Sequence, residues 1–366
     1  MYPATLGDLL MNVIELEASD LHIVVGSAPI MRRFGELQNL NDWMIGTEDA
    51  RELISSIMSP EQLQVLNRNR QIDFACSILG VARFRVHVSF ERDNLNAEFR
   101  AIPYVPPRLE DLGLPQVVTD VTALSRGLVL VTGPTGAGKS TTLAAMVNHI
   151  NRSRSVRIVT IEEPIEFLHT SHKAIITQRE IGRDTLSYHD AIQATLRQDP
   201  DVILIGEMRD LDSMALALSA AETGHLVFAT LHTLSAPDSV NRIVDVFPSE
   251  QQDQVRIQLA SVLEAVFSQL LVMRADGAGR VCAMEVLLGT SGVKSLIRDN
   301  EVAEILALMH GGFAQGMQTM DMHLARLVAE GVVTPETALA KAFRPDELQR
   351  LLGVAAIDSR RSAAGS

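Results

Sequence analysis

A chain of 366 residues, 46% of them hydrophobic, is long enough for two or three domains with cores of their own. Its 32 basic and 45 acidic side chains leave a formal charge of −13, and only 4% of residues are aromatic, a balance that argues against direct nucleic-acid binding. Two cysteines, Cys76 and Cys282, are too few for a disulfide framework or a CxxC pair, so a reducing cytosol is the expected compartment. In chain order, the N-terminal stretch carries Asp8, Glu15 and Glu17 with no basic region before an apolar run, and no export signal is expected. Leu9, Leu10, Val13, Ile14 and Leu16 recur at helical spacing over 6–17, and short β-type runs follow at 21–25 and 29–34. Helical patterns at 48–58 and 60–67 then give way to β-type patterns at 72–78, 81–90 and 96–102, which closes an α+β domain over 1–102.

Pro103, Pro106 and Pro107 stiffen the chain where a domain boundary is expected, with a linker over 103–116. From 117 to 290 strand-like runs at 128–132, 156–161, 174–177, 202–205 and 226–230 alternate with helical segments, the order of an α/β core with a largely parallel sheet. The apolar-looking region 214–234 is broken by Glu222, His225 and His232, so no membrane span is expected, and any membrane contact would pass through a partner. Past Pro248 the pattern predicts a long amphipathic helix over 250–273, a β-type interlude at 280–287 and helical runs from 292 to 342. A C-terminal helical region is therefore placed at 291–352, followed by a small, polar, disordered tail at 353–366.

The strongest chemical signal is Gly133-Pro134-Thr135-Gly136-Ala137-Gly138-Lys139-Ser140, which satisfies GxxxxGK[ST] between an apolar strand and a helix opened by Thr141. Glycines there let backbone N–H groups converge on phosphates, Lys139 neutralises β/γ charge, and the Ser140 hydroxyl can ligate Mg²⁺. ATP and Mg²⁺ are the cofactors this implies. Glu162, Glu163 and Glu166 follow another strand, where an open α/β sheet places its ligand crevice, and could orient water or Mg²⁺; a solvated acidic turn is the other reading. Glu207 ends the strand of Asp199–Asp210, DPDVILIGEMRD, and is the candidate to position the attacking water, unless it serves the dipole of the next helix. Gly206 stands where a phosphate-binding ATPase normally carries aspartate. His225 and His232 bracket a further strand, and His232 could sense the γ-phosphate.

Taken together these residues resemble the secretion-ATPase superfamily of type II secretion and type IV pilus motors, nearest to its twitching-motility retraction branch. Four boxes stand in family order over nearly the whole chain: Walker A at 133–140, an acidic box at 160–167, Walker B at 203–210 and a histidine box at 223–233. The resemblance implies a PAS-like N-terminal domain, a RecA-like second domain and a homo-hexamer with nucleotide between domains. It makes Glu207 the catalytic glutamate, Glu163 and Glu166 the acidic-box residues, and His232, with His225 behind it, the histidine-box residues. Arginines from the N-terminal domain approach the phosphates in this family, which nominates Arg83, Arg92 and Arg100, with Arg197 and Arg242 as further contacts. Surface charge on a half-exposed strand is the competing reading of Arg83 and Arg85.

Two departures stand beside these matches. The acidic box reads Glu162-Glu163 where Glu-Asp is usual, and the retraction-linked phrase AIRNLIRE becomes Gly292-Val293-Lys294-Ser295-Leu296-Ile297-Arg298-Asp299. The implied function is a cytoplasmic ATPase at the inner membrane that drives pilus retraction through a platform protein, either alone or as an accessory to a paralogous pilus ATPase. An extension motor is disfavoured, since that branch carries a longer N-terminal region and a four-cysteine zinc site. A RecA-like nucleic-acid motor lacks the basic and aromatic loops it would need, a small-molecule kinase would not carry so large a second domain, and a non-cycling nucleotide sensor would not need Glu207.

Overall fold

The computed structural model describes residues 4–33, 35–78, 80–102 and 105–353. Phe34 of the second β-type run, Pro103 of the linker and 354–366 of the expected tail lie outside the described residues. Two units emerge, one of 1–106 with 163–169 and one of 107–162 with 170–366.

In the first unit Thr5 opens α1 (Leu6–Glu15) through a capping box in which its hydroxyl accepts from the Asp8 amide while the Asp8 carboxylate accepts from the Thr5 amide. Leu6, Leu9, Leu10 and Val13 form the buried stripe of that helix. Then come β1 (Asp20–Ile23), β2 (Ile30–Arg33), β3 (Glu36–Asn39), α2 (Thr47–Ser55), α3 (Pro60–Asn69), β4 (Gln71–Ile78), β5 (Ala82–Glu91) and β6 (Asn94–Ile102). The sheet runs β3-β2-β1-β6-β5-β4, every pair antiparallel, and Phe84, Val86, Val88, Ala97 and Phe99 bury its helix-facing side. It is the PAS-like α+β domain.

The second unit continues with α4 (Gln116–Asp120), β7 (Gly127–Thr132), α5 (Lys139–Ser153), β8 (Arg157–Glu162), β9 (Ile175–Glu180), α6 (Tyr188–Thr195) and β10 (Val202–Ile205). Next are α7 (Leu211–Glu222), β11 (Leu226–Leu231), α8 (Ala236–Asp245), α9 (Gln252–Val262), β12 (Leu263–Met273) and β13 (Arg280–Leu288). The helices α10 (Ser291–Arg298), α11 (Ile305–Gly311), α12 (Met320–Ala329) and α13 (Pro335–Leu339) complete it. Its sheet is ordered β13-β12-β7-β11-β10-β8-β9, parallel except for β13. Every residue of β7, β10 and β11 is buried, because α5 covers one face and α7, α8 and α9 the other. This doubly covered sheet is the RecA-like core, and α12 and α13 pack beyond it on Val272 and Ala283.

One expected element is replaced. The predicted helix over 250–273 is α9 only as far as Val262, after which the chain turns into β12 and pairs with β7. Leu263, Ala265, Val266 and Phe267 are buried on both faces of the sheet, and a strand covered on both sides reads as a continuous apolar run, which periodicity does not separate from a helix. Among the described residues no helix is long and apolar enough to cross a membrane.

Candidate nucleotide-binding site

Parallel register fixes which groups share an edge. Thr132 lies opposite Leu231, and Ile205 opposite both Ala229 and Ile161, so Gly133, His232, Gly206-Glu207 and Glu162 all stand at the carboxyl ends of neighbouring strands. After Thr132 the chain has no room for a side chain: a methyl at Gly133 would lie 2.4 Å from the Gln269 carbonyl oxygen, with φ at +138°. Gly138 then enters α5 in the left-handed region without a side-chain cap, whereas α6, α7, α8 and α12 each begin under a serine, threonine or aspartate. A helix start without a capping side chain is one that can receive a phosphate on its first-turn N–H groups. Lys139 Nζ arches over the same loop and donates to the Gly133 carbonyl at 2.7 Å and the Pro134 carbonyl at 3.1 Å. Ser140 is exposed in the first turn beside Thr141.

Glu207, just past β10, is held from both sides: Arg209 Nη2 is 2.9 Å from one oxygen and His232 Nε2 is 3.1 Å from the other. Partial burial pushes its carboxyl up, but the bond and charge of Arg209, then those of His232, outweigh this and hold it below the ordinary carboxylate range. Met208, Leu231, Thr233 and Arg242 join these three around a cavity of ≈ 340 Å³. Arg209 was absent from the sequence reading although its signal was plain, two positions after Glu207 in the same phrase. His225 instead bonds the Ala220 carbonyl at 2.9 Å and Thr223 at 3.2 Å, closing the end of α7, and Arg197 is exposed after α6.

Gly206 has a steric reason. A methyl there would lie 3.2 Å from the Ile161 carbonyl oxygen, 3.3 Å from Glu162 Cα and 3.3 Å from the Tyr188 hydroxyl. Aspartate at this strand end would press on the neighbouring strand, which itself ends in a carboxylate, Glu162. Glu162 is oriented by the Thr160 hydroxyl at 2.6 Å and the Gln178 amide at 3.3 Å.

The remaining candidates lie in the first unit. Arg83 is 8% exposed; its Nε donates to the Ile165 carbonyl at 2.8 Å and its Nη1 to Ser77 Oγ at 3.1 Å. Arg85 pairs with Glu166 at 3.6 Å, and Glu163 is exposed at the head of the same segment. Arg100, opposite Arg85 in register, pairs with Asp20 at 2.9 Å. Arg92 is not with them: it sits in the exposed β5–β6 turn, roughly 30 Å along the strand from Arg83 at ~3.3 Å per residue.

A strand that runs into a glycine-rich loop and an uncapped helix, on a parallel sheet covered on both faces, places the second unit among the RecA-like P-loop ATPases. Within that class the chain belongs to the type II/IV secretion system protein family, which matches residues 4–336. It is 46% identical over 339 residues to the type IV pilus retraction ATPase PilT of Pseudomonas aeruginosa, covering 93% of this chain and 98% of that one. It is 40% identical over 344 residues to the type IV pilus ATPase PilU of the same organism, covering 94% and 90%. A crystal structure of the pilus retraction motor PilT with bound ADP is similar at a TM-score of 0.87 and 44% identity, covering 95% of this chain and 99% of that one.

Proposed function

We propose that this chain is a hexameric, Mg²⁺-dependent ATPase motor that drives type IV pilus retraction, and so twitching motility, from the cytoplasmic side of the inner membrane through a pilus platform protein. The observation that carries the reading is the likeness to a retraction ATPase over 93% of this chain and 98% of the relative, so that the N-terminal unit and C-terminal helices are shared as well as the core. Accessory action beside a paralogous ATPase is the second reading, supported by the 40% identity to PilU. The altered retraction phrase weighs less than its spelling suggests. Val293 is fully buried where the family has isoleucine, and Lys294 keeps the cation of the family's arginine, pairing with Glu264 at 3.0 Å.

The P-loop amides and Lys139 bind the ATP phosphates, with Gly133 to Thr141 wrapping them. Glu207, ionised and fixed between Arg209 and His232, orients a water for attack on the γ-phosphorus and takes up its proton as the P–O bond to ADP breaks. The donors present suit Mg²⁺, which prefers oxygen: the Ser140 hydroxyl would hold it, the oriented Glu162 carboxylate stands on the same edge of the sheet beyond the intervening β11 and β10, and the ion would neutralise charge on the β- and γ-phosphates. Glu163 and Glu166 are the acidic-box carboxylates of the first unit, and among Arg83, Arg92 and Arg100 it is Arg92, exposed in its turn, that can meet a phosphoryl group of a neighbouring subunit in the ring. The decisive experiment removes the gene and scores pili and surface movement. Excess pili without movement supports a retraction motor, and absent pili points to extension. ATP turnover measured with the mass in solution tests the ring, and strong stimulation by single-stranded DNA or RNA would favour a nucleic-acid motor.

A further inference from the structure

β13 is apolar from Val281 to Leu288 except for one acid, Glu285, which is 3% exposed. A carboxylate in such a place needs compensation, and its two oxygens find it in different helices. One accepts the Ala236 amide at 2.7 Å and the other the Met320 amide at 3.4 Å. Ala236 and Met320 are the first residues of α8 and α12, so each N–H belongs to the set that a helix cannot satisfy internally. Both helix dipoles favour the charge. The same residue ends a buried polar row across the sheet: Glu285 lies opposite Ser268 of β12, Ser268 lies opposite Thr132 of β7, and the Thr132 hydroxyl donates to Ser268 Oγ at 2.9 Å. Thr132 is the residue before Gly133. On the other side Ala236 follows the loop that begins at His232, and that loop is tied down by Thr233 Oγ1 to Ser239 Oγ at 2.6 Å and by Ser239 Oγ to the Ser235 carbonyl at 2.7 Å.

We propose that Glu285 is a positioning residue for ATP turnover: its carboxylate locks the start of α8 to the start of α12, so that the C-terminal helical layer sets where the 232–235 loop holds His232 beside Glu207. It acts through His232 and touches neither nucleotide nor water. The inference rests on the catalytic reading of Glu207 and His232.

Charge state is part of the device. Burial pushes the Glu285 carboxyl up to about 7; the Ala236 and Met320 amides oppose that, and Asp321 on α12 and Asp238 on α8 add to it. His323 of α12, which receives the Met284 amide at 2.8 Å and faces Arg326 at 2.8 Å, is pushed down to about 4 by burial and by Arg326 and so offers no balancing charge. The burial that raises the carboxyl favours its protonated form in the folded chain. Because the folded-state value is raised, the stability this group contributes is fully present below the ordinary carboxylate range and is lost as pH rises through about 7.

The test is Glu285→Gln in the full chain, which keeps volume and one carbonyl but turns an amide donor toward the second N–H. Nucleotide affinity and KM are expected to stay within about twofold while kcat falls about tenfold, the scale of a misplaced catalytic group. Amide exchange should rise together at 232–240 and 318–324. If that variant does not fold, Glu285→Asp decides, because it keeps the charge and shortens its reach by one methylene: exchange must rise in both segments as kcat falls while KM holds. A kcat within about twofold of the parent, or exchange rising in one segment alone, overturns the proposal. Glu207→Gln run alongside separates the cases, because its inactivity beside an unaltered Glu285→Gln would leave the catalytic reading standing and remove only this inference.

Discussion

His232 Nε2 lies 3.1 Å from a Glu207 oxygen, which joins the end of β11 to the end of β10 across the mouth of the cavity. With Arg209 on the other oxygen, Glu207 is a weaker base than an isolated carboxylate but a better placed one. A fixed carboxylate that aims a water contributes mainly through position. Glu207→Gln keeps the shape and removes the charge, so turnover is expected to fall by ~10²–10⁴-fold while nucleotide binding persists. Turnover assays paired with nucleotide titration check this, and parent-like turnover would take Glu207 out of the mechanism.

Arg209→Ala should leave a measurable shift in pH dependence. Burial already pushes the Glu207 carboxyl up, and only Arg209 and His232 bring it below the ordinary range. Without the guanidinium the upward push prevails, so the acid limb of kcat should move to higher pH. In the parent the lowered value means that Glu207's contribution to stability is present above the ordinary carboxylate range and is lost as pH falls from there through the lowered value. Arg209→Ala should reduce that loss, read as thermal midpoints along an acid series. An acid limb that does not move would show that Arg209 does not tune Glu207.

Gly206→Asp restores the residue a generic P-loop protein would carry, and the geometry expects it to harm rather than help. Its first side-chain carbon would meet the Ile161 carbonyl oxygen at 3.2 Å and the Glu162 backbone at 3.3 Å. Overpacking of this kind costs about 1–3 kcal/mol, and the carboxylate would also face Glu162 as a like charge. Denaturant unfolding and Mg²⁺-dependent turnover should both decline. A variant as stable and active as the parent would mean that the crowding at this strand end is relieved by small shifts.

Much of this was legible because it is local. The P-loop, the strand ends carrying Glu207 and His232, and the α/β order follow from short runs whose side-chain pattern matches their burial. The β12 error arose where burial on both faces erased the periodicity that would have distinguished strand from helix. Glu285 was invisible for a different reason: a lone acid in an apolar strand acquires meaning only when Ala236 and Met320, far away in sequence, bring their amides to it. The same holds for Arg83, whose strand position suggested surface charge or a phosphate contact, whereas its guanidinium is buried on the Ile165 carbonyl.

Arg83 and Arg92 should therefore separate into different phenotypes although both were nominated as phosphate-directed arginines. Arg83→Ala leaves the buried Ile165 carbonyl without this donor, a loss that costs about 1–3 kcal/mol, and it should raise amide exchange across 163–169. Arg92 lies in an exposed turn at φ 49°, so Arg92→Ala should change stability by no more than about 0.5 kcal/mol. If Arg92 meets a phosphoryl group in the assembled ring, its loss lowers turnover at unchanged stability and unchanged assembly. Unfolding curves, mass in solution and turnover on the two variants distinguish these outcomes, and an Arg92→Ala protein with parent turnover assigns that residue to the surface.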